Sequence, residues 1–526
     1  MSMSNPVLPL FHAVGPGTRR EFLRRVRDFG ALLALGSLPS CRGDRPSRLG
    51  IDPFGLGVAS GDPTPDGIVL WTRLVADPLR GDALLEGVQT VAWELAADES
   101  FRQIVRSGSE TVLPELAHSL HLELDGLEPG RDYWYRFMTN DATSPVGRAR
   151  TAPAAGGMSD RFRFAFVSCQ HWEQGLYTAY QHLAQEDVDL VVHLGDYIYE
   201  YGPDLRVREH NGPEIMSLAD YRRRLSLYKS DPLLKTAHER APFVVTWDDH
   251  EVDNNYAGAI SQDDDPRDAF LLRRAAAYQA YWEHQPLRRA QMPTGPDALL
   301  YRRLRFGGLI EMSVLDTRQY RTDQPCGDGR KPRCAEAYLE EATMMGAEQE
   351  RWLMENMARS DARWNVLANQ VMMSEVKAIV NGAESYSLDQ WAGYVAPRQR
   401  LTGFLAETRP SNPVVLTGDI HSNWVADIKV DYEDAVAPVV ATEFVGTSIS
   451  SGGDGQDSYE SIPQTLSMNP HVKLFNGQRG YVSCTVTPDE WRADYQVVDY
   501  VSRPGAPVRT RASFVVENGR AGAQEV

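Results

Sequence analysis

Five apolar runs in this chain each end on side chains that can bind a metal or move a proton. Residues 162–167 run into Ser168-Cys169-Gln170, and residues 189–194 into Gly195-Asp196. Residues 242–247 run into Asp248-Asp249-His250, residues 309–315 into Asp316, and residues 413–416 into Thr417-Gly418-Asp419-Ile420-His421. A single aspartate after a strand is usually a turn former. Five such ends converging on one edge can instead build one site. Carboxylates and imidazoles without a nucleophilic serine motif point to metal ions. A metal pair sharing one carboxylate activates water and holds the leaving oxygen of a phosphoryl group. Asp196, alone on the tight Gly195 turn, is the natural bridge.

Such a site needs elements that deliver every end to the same place. From Arg161 onward, apolar strands alternate with helical patterns over 176–185, 270–283, 347–360 and 400–408. Alternation of this kind predicts an α/β fold in layers, and ligands in such folds bind beyond the strand ends. Residues 51–150 read differently. Short alternating segments culminate in LEPGRDYWYRF, where a Pro-Gly turn feeds alternating aromatics. This predicts a small all-β, fibronectin-like N-terminal sandwich. The stretch APAAGGMSD is expected to be a linker, residues 161–500 the catalytic domain and residues 501–526 a C-terminal tail.

The ends of the chain bear on where it works. Arg19-Arg20 precedes the short apolar segment FGALLALGSL, the pattern of a twin-arginine export signal over residues 1–41. The apolar segment is far short of the roughly 20 residues that span a bilayer. A periplasmic or extracellular location is therefore expected, with the twin-arginine translocase as a partner. Leu38-Pro39-Ser40-Cys41 has the look of a lipoprotein processing box, which would make Cys41 a lipid anchor. Cleavage without lipidation is the other reading, because proline departs from the usual box. The formal net charge of −18 argues against general nucleic-acid binding. Cys326 and Cys334, eight residues apart in a Gly/Pro-rich loop, are expected to form a disulfide, with a metal hook as the alternative. Cys484 reads as a buried strand cysteine, and Cys169 has no evident covalent partner.

The motifs GDYIYE, WDDHE, NQVMMS, DQWAGY and TGDIHS, in this order and spacing, resemble the alkaline phosphatase D family of the calcineurin-like metallophosphoesterase superfamily. The likeness runs from GVASGDPTPDGIVLWTR through LDTRQYR to FNGQRGYV. It implies a layered metallophosphoesterase β-sandwich flanked by helices, and hydrolysis of phosphomonoesters, phosphodiesters or both. Some members cleave phospholipid head groups. It also implies Fe(3+) and Ca(2+) as cofactors. Where the superfamily carries Asp-x-His, this chain has Cys169, which the resemblance makes an iron ligand, with Tyr199 as a phenolate ligand. Thiolate and phenolate are both anionic and favour ferric iron, whereas oxygen donors suit a hard ion such as calcium. Asp249 stands where an asparagine usually binds the second metal, and His250 follows as phosphate contact or leaving-group acid. Asp419 replaces the first histidine of a Gly-His-x-His motif, and His421 is carried over as an iron ligand. Asn254, Asn369 and Arg318 are further candidates for metal or phosphate contacts. Asp389, Trp391 and Tyr394 are candidates for the mouth of the site, with a core role as the alternative for Trp391. His171 reads either as a support for a ligand or as an exposed loop residue. Tyr197 and Tyr201 are expected to pack rather than ligate. A non-catalytic phosphate-ester binder at the envelope is the rival function.

Overall fold

The computed structural model describes residues 52–526 except Asp82 and Leu205. The expected export signal and Cys41 lie outside the described residues. No helix among those described is long and apolar enough to cross a membrane.

Alternation of side chains along the strands sets the architecture. In the strand Phe162–Val167, Phe162, Phe164 and Phe166 point to one core, and Ala165 and Val167 to another. Leu190 and Val192 of Leu190–His193 side with the first core and Val191 with the second. This period of two is what a strand buried on both faces requires. These strands sit in a ten-stranded sheet. Its inner face packs against an eight-stranded sheet whose central strands are Ile310–Val314, Trp364–Ala368 and Pro413–Thr417. Phe164, Trp364, Val414 and Trp491 are fully buried between the two sheets. Truncating Phe164 to alanine there should cost about 3–5 kcal/mol.

Helices close both outer faces. Leu218–Lys229, Pro232–Arg240 and Arg267–His284 cover the ten-stranded sheet. Gly346–Arg359 and Val395–Thr408 cover the other through Leu353, Met357, Leu401 and Leu405. The result is a helix–sheet–sheet–helix α/β fold. Leu218–Lys229 has no sequence counterpart above, because Arg222, Arg224 and Lys229 are buried in it and break the apolar stripe. A Ser217–Asp220 capping box starts it.

The N-terminal region forms a sandwich, as its alternation predicts. Gln89–Ala96, Ile104–Val112 and Asp132–Thr139 make one sheet, and Val58–Thr64, Gly67–Arg73 and Ser119–Leu124 face it across a core of Leu70, Trp93, Leu122 and Tyr135. The second layer is not separate, however. Gly61 pairs in parallel with Phe243, so these strands extend the ten-stranded sheet. A Cβ at Gly61 would lie 2.6 Å from the Phe243 carbonyl oxygen, so only glycine lets the two strands close. The described residues form one compact unit.

The stretch 501–526, expected as a tail, is corrected by the structure. Val508–Glu517 pairs antiparallel with Glu490–Val498, and Gln524–Glu525 adds to its far edge. Ala512, Phe514 and Val516 alternate into the main core, a period that the polar flanks of this segment obscured. Cys326 and Cys334 form the expected disulfide, and Cys484 is a buried strand residue.

Candidate metal centre

Three parallel strands of one sheet and the strand Pro413–Thr417 of the other bring their carboxyl ends to a common edge. There the chain adopts an unusual backbone. Cys169, Asp196, Asp419 and His421 all have positive φ, at 59°, 56°, 67° and 53°. Non-glycine residues in this region carry strain of about 1–3 kcal/mol each and collect at functional sites. The strained turns are laced together: Cys169 N–H donates to the Gly195 carbonyl at 3.1 Å and Gln170 N–H to that of Asp196 at 3.0 Å. Gly195 itself has φ 114°, and a Cβ there would sit 2.5 Å from the Asp248 side chain. Glycine is needed for Asp248 to approach.

On one side, the ligand atoms of Cys169, Asp196 and His421 lie within 4.8 Å of one another. The Tyr199 hydroxyl joins them, 2.9 Å from Asp196 Oδ2 and 3.1 Å from His421 Nε2. Ser451 Oγ accepts from the His171 N–H at 3.1 Å. It lies 2.7 Å from both the Tyr199 hydroxyl and the Cys169 carbonyl oxygen. Burial, then the neighbouring Asp196, pushes the Cys169 thiol and the Tyr199 phenol well up. Burial and the Arg479 guanidinium push His421 down to about 3, so its imidazole is neutral and can ligate.

On the other side, Asp248, Asp249 and Asp419 form one group within 4.8 Å, and Asp196, Asp249 and His250 another. Asp196 thus belongs to both sides. Asp196 Oδ1, Asp248 Oδ2 and Asp249 Oδ1 are buried without a hydrogen-bond partner among the described residues. Buried carboxylate oxygens left unpaired are costly, and a cation removes that cost. Thiol, phenol, carboxylate and imidazole donors on one side and carboxylates on the other therefore fit a pair of metal ions. Burial raises Asp248 to about 7 against the pull of Arg318, and burial, with Asp248 next, raises Asp419.

His250 borders this cluster. Its Nδ1 lies 2.7 Å from Glu200 Oε2, and the rings of Tyr199 and Tyr201 flank it at 4.1 and 5.2 Å. Burial works against its charge, but Glu200, Asp249 and Asp196 prevail and raise its pKa well above the usual range.

Several expected contacts are corrected. Arg318 is fully buried. Its Nε donates to Asp248 at 2.5 Å, its two terminal nitrogens make a bidentate pair with Asp389 at 2.8 Å each, and Asp249 lies 3.5 Å away. Its guanidinium frames the carboxylates. Trp391 and Asn369 are likewise fully buried, with Trp391 Nε1 donating to Asn369 Oδ1 at 3.3 Å, which favours the core reading of Trp391. Asn254 turns its amide to Gln262 Oε1 at 2.6 Å, and its backbone N–H donates to Glu200. Tyr394 is buried against Arg321. Asp316 caps its own turn through the N–H groups of Arg318 and Gln319. His171 is buried with its ring 4.3 Å from that of Tyr199, which favours the supporting reading. Tyr197 packs as expected, but Tyr201 is exposed. Sequence reasoning missed Asp248 as a ligand candidate although it stands beside Asp249. It also missed Glu200, one residue after Tyr199, and Ser451, for which the SSGGDG loop held no signal.

Residues 164–495 match the family described as PhoD-like phosphatase, and residues 40–153 match its N-terminal domain. Alkaline phosphatase D of Bacillus subtilis (strain 168) is 51% identical over 480 residues, spanning 90% of this chain and 82% of that protein. A solved structure described as that of PhoD superposes with a TM-score of 0.89 at 50% identity, covering 93% of both chains. Sequence, fold and the donors gathered at the strand ends lead to one conclusion: the chain belongs to the PhoD-like phosphatase family.

Proposed function

We propose that this protein is an exported, metal-dependent hydrolase of phosphate esters, acting on monoesters, diesters or both. The observation that carries this reading is Asp196, whose carboxylate belongs to the thiol-side group and to the carboxylate-side group at once. Cys169, Asp196, Tyr199 and His421 would hold Fe(3+), and Asp196, Asp248, Asp249 and Asp419 would hold Ca(2+). Bound together, such ions supply an acidified water and neutralise the charge of the phosphoryl group. The chain's own residues do the rest. Glu200 takes the Nδ1 proton of His250 in a hydrogen bond, which fixes the ring and leaves Nε2 to protonate the departing oxygen. Arg318 and Asp389 hold Asp248 and Asp249 in place. Tyr199, hydrogen-bonded to Asp196 and His421, ties three donors together. The paired Arg19-Arg20 supports export by the twin-arginine translocase to the periplasm or beyond, with Cys41 as a possible lipid anchor.

Turnover of p-nitrophenyl phosphate and bis-p-nitrophenyl phosphate tests this, coupled to metal analysis of the purified protein. The expected result is activity that follows iron and calcium content, with a visible charge-transfer band. Binding of these esters by metal-replete protein without turnover would favour the envelope binder. An active, colourless and iron-free protein would overturn the iron assignment alone.

A further inference from the structure

If His250 delivers a proton to the departing oxygen, the organic part of the ester must leave past that ring. The next group outward is Tyr201, whose ring lies 5.2 Å from that of His250 at a steep angle of 68°. Tyr199, on the other side of His250, is 2% exposed, whereas Tyr201 is 40% exposed. A tyrosine so open is out of place as a packing residue. Its backbone is nonetheless pinned. The Tyr201 carbonyl accepts from Arg224 at 2.9 Å and lies 3.1 Å from His210 Nδ1. Arg224 is itself buried in the helix Leu218–Lys229. The ring is therefore an aromatic surface carried on a pinned backbone, beside the proton donor and open to solvent.

We propose that Tyr201 is a specificity-determining residue: its exposed ring is the platform on which a planar, aromatic leaving group rests as the phosphoester bond breaks. The proposal rests on the hydrolase reading above. Aromatic faces attract other π-systems beyond simple area burial, so the platform discriminates between aryl and alkyl esters carrying the same phosphate. The metal side of the site, which meets the phosphoryl group, distinguishes the two only through the acidity of the leaving group, a difference that is the same in wild type and variants and so cancels in the comparison. Tyr201 thus adds recognition of the leaving group's shape to a centre that otherwise responds only to its acidity.

The test compares kcat/KM for phenyl phosphate and ethyl phosphate in wild type, Tyr201→Ala, Tyr201→Leu and Tyr201→Phe. The aryl-to-alkyl ratio should fall roughly 3- to 10-fold in Tyr201→Ala, mostly through KM, and less in Tyr201→Leu. Tyr201→Phe should keep the ratio. Inhibition by phenylphosphonate should weaken in Tyr201→Ala more than inhibition by methylphosphonate. An equal loss of kcat/KM on both esters would mean that Tyr201 only steadies His250, and unchanged kcat/KM on both would mean that it touches nothing; either overturns the platform. Wild-type protein inert on these monoesters and on bis-p-nitrophenyl phosphate alike would overturn the hydrolase reading and the platform with it; a wild type active only on diesters is put to the same comparison with phenyl and ethyl diesters.

Discussion

Cys169, Tyr199 and His421 stand on one side of Asp196, and Asp248, Asp249 and Asp419 on the other. The carboxylate side is framed by charge. Arg318 reaches Asp248, Asp249 and Asp389, and Arg321 lies 3.1 Å from Asp389. The thiol side also has a guanidinium, but Arg479 donates to the His421 carbonyl and to Ser448 Oγ at 2.7 Å, not to a carboxylate. Its turns are fixed by neutral groups. Tyr177 and Tyr180 donate to the Gln170 carbonyl and side-chain oxygens, both at 2.6 Å, and Gln170 Nε2 donates to the Tyr197 carbonyl at 2.8 Å. The lesson is that one side answers to pH and to loss of an arginine, while the other answers to backbone conformation.

Substitutions separate the two. Asp196→Asn weakens both sides and should give the largest loss, beyond about 1,000-fold in kcat/KM with both metals depleted; Cys169→Ser should deplete iron and leave calcium. Equal depletion of both metals in Cys169→Ser would dissolve the distinction. His250→Ala should cost roughly 100- to 10,000-fold without changing metal content. Arg318→Met strikes only the carboxylate side. It leaves Asp248 buried without its guanidinium partner and Asp389 with Arg321 and Gln324 only, at a cost of about 3–5 kcal/mol in the metal-free protein, measured by denaturant unfolding.

Acid should act on the same side. Burial works to raise the Asp389 carboxyl, but the Arg318 and Arg321 guanidiniums win and hold it well below the usual range. A carboxyl depressed in the folded state contributes stability above its unfolded value of about 3.9. That contribution is lost as pH falls through the folded value. Tm of the metal-free protein should therefore drop more steeply below about pH 4 in wild type than in Asp389→Asn. Parallel curves would show that the pair contributes no pH-dependent stability.

The strand ends were legible in the sequence because each apolar run and its terminal cluster are contiguous, as in VVHLGD and VVLTGDIHS. So was the layered class, since strands and helices alternate. The roles of Arg318, Asn369 and Trp391 were not, because each depends on a partner remote in the chain. Asp389, 71 positions from Arg318, turns an apparent phosphate clamp into a buried frame. The polar helix Leu218–Lys229 was illegible for a related reason: its arginines serve carbonyls and carboxylates of other elements, so no periodic stripe survives.

The smallest change is expected at Ser451, on the thiol side. Its hydroxyl can donate to the Tyr199 oxygen or to the Cys169 carbonyl, each 2.7 Å away. Without metal, the phenol donates to Asp196 and needs only an acceptor's share of Ser451. With iron bound, as proposed, the phenol becomes a phenolate and the serine proton turns toward it. That hydrogen bond draws electron density from the phenolate and raises the energy of its charge-transfer band. Ser451→Ala removes one hydrogen bond, worth about 0.5–1.5 kcal/mol, so activity should fall only about 2- to 10-fold. The band should move to longer wavelength. A band that stays in place would show that the serine serves the Cys169 backbone alone, and that the two sides of the centre are tuned independently of this contact.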